Sequence, residues 1–279
     1  MRPRNKHIVI AVALLLGLAD TATAEPNGEF RVCADPNNLP FSNSAEAGFE
    51  NQLARMVAEQ FGKQVTYTWW AQRRGFIRNT LKAGRCDVVM GLPTGYDLVE
   101  TTKPYYKSTY VFVTREDQHL DLSSLLDPRL RHLAIGVHLI GDDGNNPPPA
   151  EALGEQGIVD NVRGYSIFGD YRQADPPARL IDAVGQGEID VAAAWGPLGG
   201  YFAKQSPVPL TVTPIEDYQR FAPQQFQFAI SMGVRKGDHA LRDQLNAFID
   251  QHRPEITSLL RSYGVPLVGL PVTASGGHE

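Results

Sequence analysis

The side chains that could bind a ligand cluster directly after short apolar runs, where strands are expected to end. In the first half of the chain they are Asp35, Asn37, Asn38, Phe41, Trp69, Trp70, Arg74, Pro93, Thr94 and Tyr96. In the second half they are Tyr171 and Trp195. Aromatic rings stack on flat or apolar molecules, and amide, hydroxyl and charged groups exchange hydrogen bonds with polar ones. The set predicts a binding site of mixed aromatic and polar character.

Each of these residue types also has a purely structural role. Phe41, Trp69 and Trp70 could pack in a core, because aromatic residues at strand ends usually bury their area. Trp195 could pack between two halves of the molecule, and Arg74 could be a solvated residue at the start of a helix. The sequence leaves these alternatives open.

Catalytic and metal-binding patterns are missing from the chain. It contains no G-x-S-x-G, no H-E-x-x-H and no P-loop, and none of its seven histidines has a partner at ligand spacing. The stretch 141–146 is rich in the oxygen ligands that hard cations prefer, but it lacks EF-hand spacing and is better explained as a turn. We predict a binding protein that is not an enzyme and that holds no cofactor and no metal.

Alternating strands and helices are expected to position the candidate residues. The hydrophobic pattern predicts strands over 30–35, 65–70, 88–92, 133–138 and 228–234, and helices over 49–61, 76–83, 150–155, 177–184, 200–205, 241–250 and 255–263. This alternation gives a parallel sheet covered by helices, and ligands bind beyond the carboxyl ends of such strands.

One pattern occurs twice in the chain. Residues 81–89 combine a helix end, a capping glycine and a strand opened by Asp87, and residues 184–192 repeat this order around Asp190, 103 residues later. The strand patterns at 30–35 and 133–138 have the same offset. Two segments that share one offset favour two similar lobes over coincidence.

The predicted fold class is therefore α/β, with two lobes that are each a mostly parallel sheet flanked by helices. Lobe I is expected over 25–109 and again over the return segment 233–268, and lobe II over 110–232. A cleft between the lobes would collect the candidate residues. The tail 269–279 has little apolar content and is expected to be mobile.

The first 24 residues are typical of a secretory signal peptide. A basic head is followed by an apolar run at 8–19, which is too short to span a bilayer, and by Ala22-Thr23-Ala24, an A-x-A cleavage site. We predict cleavage after Ala24, release into the periplasm and no stable membrane insertion afterwards. With a net charge of −5 and 20% charged residues, the chain is not expected to bind nucleic acid.

Cys33 and Cys86 are the only two cysteines of the chain. Both fall in strand patterns of one predicted sheet, and an exported protein meets an oxidising compartment, so a single disulfide is expected. Two buried free thiols are the alternative.

Several segments together resemble the periplasmic solute-binding proteins that bind polar amino acids. They are 31–41, Gly48-Phe49-Glu50 with Leu53-Ala54, 84–91, Pro104-Tyr105-Tyr106 and 234–238. In that family an arginine nine residues before the Pro-Tyr motif binds the ligand carboxylate, and an aspartate in the second lobe binds the ligand ammonium. Here the corresponding residues are Gly95 and Trp195. The resemblance therefore implies a two-lobed binding fold without the amino-acid clamp.

A narrower resemblance joins 33–43, 87–94 and 194–197 to the quinoprotein-dehydrogenase-associated branch of these proteins, the MxaJ/XoxJ-like branch. This branch implies a non-catalytic accessory of a pyrroloquinoline-quinone-dependent methanol or alcohol dehydrogenase. The protein would act in assembly or activation through contact with the dehydrogenase or its cytochrome. The alternative is a transporter's substrate-binding protein for a small organic solute that is not a standard α-amino acid.

Overall fold

The computed structural model describes residues 28–139, 146–166 and 174–269. The predicted signal peptide, Tyr171, most of the oxygen-rich stretch 141–146 and all but Gly269 of the predicted tail lie outside the described residues. Among the described residues, no helix is long and apolar enough to cross a membrane.

Strands and helices alternate along the described residues. The strands are β1 (Glu29–Ala34), β2 (Asn37–Asn38), β3 (Ser42–Asn43), β4 (Gln64–Trp69), β5 (Val88–Pro93), β6 (Glu100–Thr101), β7 (Tyr106–Arg115), β8 (Ile135–Leu139), β9 (Val162–Ser166), β10 (Val191–Trp195), β11 (Leu210–Pro214) and β12 (Gln227–Val234). The α-helices are α1 (Phe49–Gln60), α2 (Phe76–Asn79), α3 (Pro148–Glu155), α4 (Arg179–Gly185), α5 (Gly196–Gln205), α6 (His239–Gln251) and α7 (Arg253–Ser262).

The strands form two groups that share the long strand β7. The order is β4-β1-β5-β12-β7-β10-β8-β9, with β6 beside β12 and β11 beside β7. In the first group β1 is parallel to β4 and β5, and in the second β8 is parallel to β9 and β10. β7 and β12 run antiparallel to the strands beside them, so the parallel strands of each group are part of a mixed sheet. The predicted α/β fold, with strands flanked by helices in two lobes, is confirmed.

The internal repeat is visible in the backbone hydrogen bonds. The N–H of Asp87 donates to the carbonyl of Arg31 at 2.8 Å, and that of Asp190 donates to the carbonyl of Ala134 at 2.9 Å. The pairs Val32–Val88 and Ile135–Val191 then occupy equivalent registers. The offset of 103 residues therefore relates two equivalent strand pairs, one in each lobe.

β7 changes its partners in mid-strand. Its residues 106–109 pair with β12, and its residues from Tyr110 onward pair with β10 and β11. On the return path, β12 pairs with β5 from Ile230, before the predicted limit at residue 232. The lobe limits proposed from the sequence remain a prediction.

Two helices differ in length from the sequence patterns. α2 ends at Asn79 instead of continuing to Ala83, and the N–H of Lys82 donates to the carbonyl of Ile77 in a wider turn. α5 begins at Gly196, four residues before the predicted start, because Pro197 supplies a backbone angle that suits the first turn of a helix.

Buried side chains form one large core in the first lobe and one core on each face of the second sheet, and a smaller cluster with Phe76 and Leu81 covers the other face of the first sheet. The first core includes Phe30, Phe49 and Phe248, the second Phe112 and Phe226, and the third Leu180 and Phe202. The ring of Trp195 packs against all three cores. It therefore lies where the lobes meet.

Candidate ligand-binding cleft

A cavity of about 340 Å³ opens between the two sheets, where the sequence predicted a cleft. Its walls come from both lobes and from β7 and β12, which connect them. The lining residues are Asn38, Phe41, Glu50, Gln72, Gly91, Leu92, Pro93, Tyr106, Tyr110, His138, Trp195, Leu198, Phe228 and Ile230. Of the candidates proposed from sequence, Asn38, Phe41, Pro93 and Trp195 are in this set.

Aromatic rings form most of the apolar wall. Trp195 meets Tyr110 edge to face with ring centroids 5.4 Å apart, and it meets Phe228 in the same way at 5.6 Å. On the opposite side, Phe41 and Tyr106 both pack against Phe49, at 5.5 and 6.0 Å. These edge-to-face contacts fix the ring orientations and leave the cavity between them open.

Glu50 is the only acidic side chain among the described lining residues. It lies in the first turn of α1, on the same buried face as Leu53, Ala54 and Val57. Burial raises the pKa of its carboxyl group to about 8. Gly91 of β5 provides the space for this carboxyl group, because a Cβ atom at residue 91 would collide with Oε1 of Glu50.

Two further buried groups at the cavity present hydrogen-bond acceptors. Oδ1 of Asn38 and Nδ1 of His138 have no hydrogen-bond partner among the described residues. Nε2 of His138 lies 3.2 Å from the carbonyl oxygen of Pro177, to which it donates, so Nδ1 carries a lone pair. Burial lowers the pKa of His138 to about 4, so the imidazole is neutral at pH 7.

The cavity has no Lys or Arg among its described lining residues, and His138 is neutral at pH 7. Gly95 lies in a turn with φ +80°, where its N–H donates to Oγ1 of Thr101 at 3.1 Å. Trp195 presents a ring to the cavity and no carboxylate. The described residues of the cavity therefore supply neither of the two charges that would clamp an amino-acid zwitterion in the manner implied by the resemblance.

A second, larger groove of about 830 Å³ lies beside the cleft and shares Gln72, Leu92 and Pro93 with it. Arg74 and Tyr96, predicted as cleft residues, line this groove. It combines the basic side chains Arg73, Arg74, Arg78 and Lys82 with the exposed apolar side chains Tyr96 and Leu98. The lining of this groove is basic, although the whole chain has a net charge of −5.

Three of the predicted polar residues hold the loops around the cleft. Asp35 is 1% exposed, and its carboxylate accepts the N–H of Asn37 at 2.8 Å and the N–H of Gln72 at 2.6 Å. The hydroxyl of Thr94 lies 3.0 Å from the carbonyl oxygen of Ala229, to which it donates, and so ties the end of β5 to β12. Asp35, Asn37 and Thr94 do not line the cavity and instead fix the loops that do.

Trp69, the last residue of β4, and Trp70, which follows it, also lie outside the cavity lining. Trp69 is half-buried and stacks on Tyr67, with ring centroids 4.5 Å apart. Trp70 is 36% exposed, and the guanidinium of Arg85 lies 5.6 Å from its ring centroid. For Trp69 the structure gives the packing role that the sequence left open.

Cys33 of β1 and Cys86, just before β5, are joined by a disulfide. The bond lies within a small cluster of buried residues on the face of the first sheet that includes Phe76 and Leu81. Among the described residues, no three His, Cys, Asp or Glu side chains are grouped so that they could hold a metal ion.

Sequence reasoning missed several residues of the cavity, above all Glu50 and His138. Glu50 had a detectable signal, because it precedes Leu53 and Ala54 by three and four residues and so belongs to the buried face of the predicted helix. His138 ends a buried strand pattern. Tyr110 and Phe228 had no such signal, since their position at the cavity depends on the partner change in β7.

Comparison with known proteins agrees with this geometry. Residues 30–264 match the bacterial extracellular solute-binding proteins, family 3. The chain belongs to this family. The chain is similar to protein MoxJ of Methylorubrum extorquens AM1, with 35% identity over 90% of this chain and 85% of the relative.

Two solved structures of similar proteins extend the comparison. The periplasmic binding protein XoxJ of Methylobacterium extorquens AM1 has 35% identity and a TM-score of 0.71, over 86% of this chain and 100% of that chain. MxaJ of Methlophaga aminisulfidivorans MPT has 28% identity and a TM-score of 0.74, with the same coverage. The resemblance to the MxaJ/XoxJ-like branch that the sequence predicted is confirmed.

Proposed function

We propose that the protein is a non-catalytic periplasmic accessory of a pyrroloquinoline-quinone-dependent methanol or alcohol dehydrogenase. It acts in assembly or activation of that enzyme through direct protein contact. The observation that carries this proposal is the similarity to MoxJ and XoxJ along most of the chain, at 35% identity in both comparisons.

The chemistry of the cleft supports a role other than amino-acid uptake. Burying the carboxylate of an α-amino acid without a cationic partner costs several kcal/mol. The described lining of the cavity contains no Lys or Arg that could provide this partner. This cleft therefore favours a function other than the binding of an α-amino acid.

The basic groove beside the cleft is the surface that we propose contacts the dehydrogenase or its cytochrome. Protein interfaces combine exposed apolar side chains with arginines, as Tyr96, Leu98 and Arg78 do here. Arg78 and Lys82 of the groove would attract an acidic face of the partner at moderate salt.

A capture experiment tests the accessory role. The mature chain is immobilised and exposed to periplasmic extract, and bound proteins are identified. We expect a quinoprotein dehydrogenase or its cytochrome, and we expect less active dehydrogenase in cells that lack the protein. Normal dehydrogenase activity and cofactor content in such cells would contradict the proposal.

A pair of charge-reversal variants tests the contact surface. Arg78→Glu with Lys82→Glu removes two cations from the groove, so we expect capture of the dehydrogenase or cytochrome to fall at least tenfold at low salt and by less at high salt. Lys63→Glu with Lys236→Glu makes the same charge change at exposed residues outside the groove and should retain capture. Equal losses in the two variants would show that net charge alone, and not this groove, governs the contact.

The second candidate function is the substrate-binding component of a transporter for a small organic solute. The open cavity between the lobes favours it, because a fully packed cleft would leave no room for a ligand. A solute that stabilises the protein against heat, together with no captured dehydrogenase, would support this candidate over the accessory role.

A further inference from the structure

The cavity between the lobes presents more hydrogen-bond acceptors than its surroundings satisfy. Oδ1 of Asn38 and Nδ1 of His138 lack partners among the described residues. The carboxyl group of Glu50 has burial as the only cause of its raised pKa, and no described cation pairs with it. Buried acceptors of this kind call for a ligand that donates hydrogen bonds.

The walls around these acceptors suit a cation. Tyr106, Tyr110, Trp195, Phe41 and Phe228 all line the same cavity as Glu50. Aromatic faces attract ammonium groups, most strongly where water is excluded. A buried carboxylate adds the opposite charge that a bound ammonium needs.

We propose that this cavity binds a small organic monocation, a primary ammonium group attached to an apolar or aromatic body, with the ammonium at Glu50. A primary ammonium has three N–H donors for the acceptors at the cavity, and its body would lie against the aromatic wall. This inference is independent of the accessory role, because it concerns the cleft and not the basic groove.

The same residues exclude a ligand that also carries a carboxylate. The described lining offers no cation for a second ligand group of negative charge, and Glu50, which is ionised once the ammonium is bound, would repel that group. The proposed ligand is thus an amine and not an amino acid.

The protonation of Glu50 makes the proposed binding depend on pH. The other titratable groups at the cavity or coupled to Glu50 do not change charge near neutral pH, since burial raises the pKa of Tyr67, Tyr105, Tyr106 and Tyr110 and lowers that of His138 to about 4. The carboxyl group must lose its proton when the ammonium binds. Below pH 8, affinity should rise by roughly tenfold per pH unit, with close to one proton released at pH 7.

Calorimetric titration of the mature chain with three probes of similar shape tests the proposal. The probes are benzylammonium, benzyl alcohol and benzoate, which carry a positive charge, no charge and a negative charge. We expect benzylammonium to bind at least tenfold more tightly than benzyl alcohol, and benzoate not to bind. Equal affinity for the cation and the alcohol, or binding of benzoate, would overturn the proposal without any variant.

Matched variants identify the carboxyl group responsible. Glu50→Gln keeps the shape of the side chain and should lose at least tenfold in benzylammonium affinity at pH 8, together with the proton release. Glu255→Gln makes the same change at an exposed residue of α7 and should behave as the wild type. Unchanged affinity in Glu50→Gln would refute the assigned position of the ammonium, whatever the outcome of dehydrogenase capture.

Discussion

At the scale of single residues, the carboxyl group of Glu50 couples the cleft to pH. Its ordinary pKa of 4.5 rises to about 8 in the folded chain because burial favours the neutral form. Between these two values the folded chain holds a proton that the unfolded chain has lost. The contribution of Glu50 to stability is therefore complete below pH 4.5 and is lost as the pH rises to 8.

Replacement of Glu50 by Gln should remove this dependence. We expect the free energy of unfolding of the variant, relative to the wild type, to rise by up to about 1.4 kcal/mol per pH unit between pH 4.5 and 8. Urea denaturation at several pH values measures it, and Glu255→Gln serves as the exposed control. A difference that stays constant with pH would mean that Glu50 is ionised in the folded protein.

At the scale of elements, α5 is held against the segment that follows α7 by a close approach of backbones. A Cβ atom on Gly200 would collide with the carbonyl oxygen of Gly264. Nζ of Lys204 donates to the carbonyl of Ser262 at 2.7 Å, and the rings of Tyr201 and Tyr263 stack with centroids 5.7 Å apart. The glycine is required here by proximity, since its helical backbone angle suits any residue.

Two Gly→Ala substitutions in helices should therefore act in opposite directions. Gly200→Ala forces α5 away from Gly264 and should destabilise the protein by about 1–3 kcal/mol. Gly154→Ala in α3 meets nothing within 4 Å and should stabilise it by up to about 1 kcal/mol, because Ala favours the helix. Thermal and urea denaturation measure both effects, and a stable Gly200→Ala variant would show that the two backbones can separate without loss.

At the scale of the whole molecule, the region where the lobes meet is bound at several points. Trp195 packs against the cores of both lobes. The end of α7, in the predicted lobe I, also contacts α5, in the predicted lobe II, where Nζ of Lys204 donates to the carbonyl of Ser262 at 2.7 Å and the ring of Tyr201 stacks on that of Tyr263. Rotation of one lobe against the other would have to break such contacts.

We therefore expect no lobe closure when a ligand enters the cleft. Small-angle X-ray scattering of the mature chain should give the same radius of gyration with and without saturating benzylammonium. The Trp195→Ala variant lacks the ring that packs against the cores of both lobes, and its radius of gyration is measured for comparison. A decrease in the radius of gyration of the wild type would contradict the rigid arrangement and favour the motion of a transport receptor.

The sequence by itself determined the order of the elements and the repeat that relates the lobes. Periodicity defined α1 almost to the residue, and Gly84 and Gly187 have the positive φ angles that helix caps require. These features depend on local interactions within a few residues, so a local pattern records them. A local pattern also predicts where a strand ends, and the apolar candidates Phe41, Pro93 and Trp195 do line the cleft.

The tertiary structure alone decided which side chains share the cavity. Glu50, Tyr110 and His138 come from α1, β7 and β8, and they meet only because β7 changes partners between two sheets. The sequence pattern likewise did not show that Gln72 would line the cavity while its N–H donates to the carboxylate of Asp35. Burial of the Glu50 carboxyl group, and hence its raised pKa, depends on packing from distant segments such as β5, which no local pattern encodes.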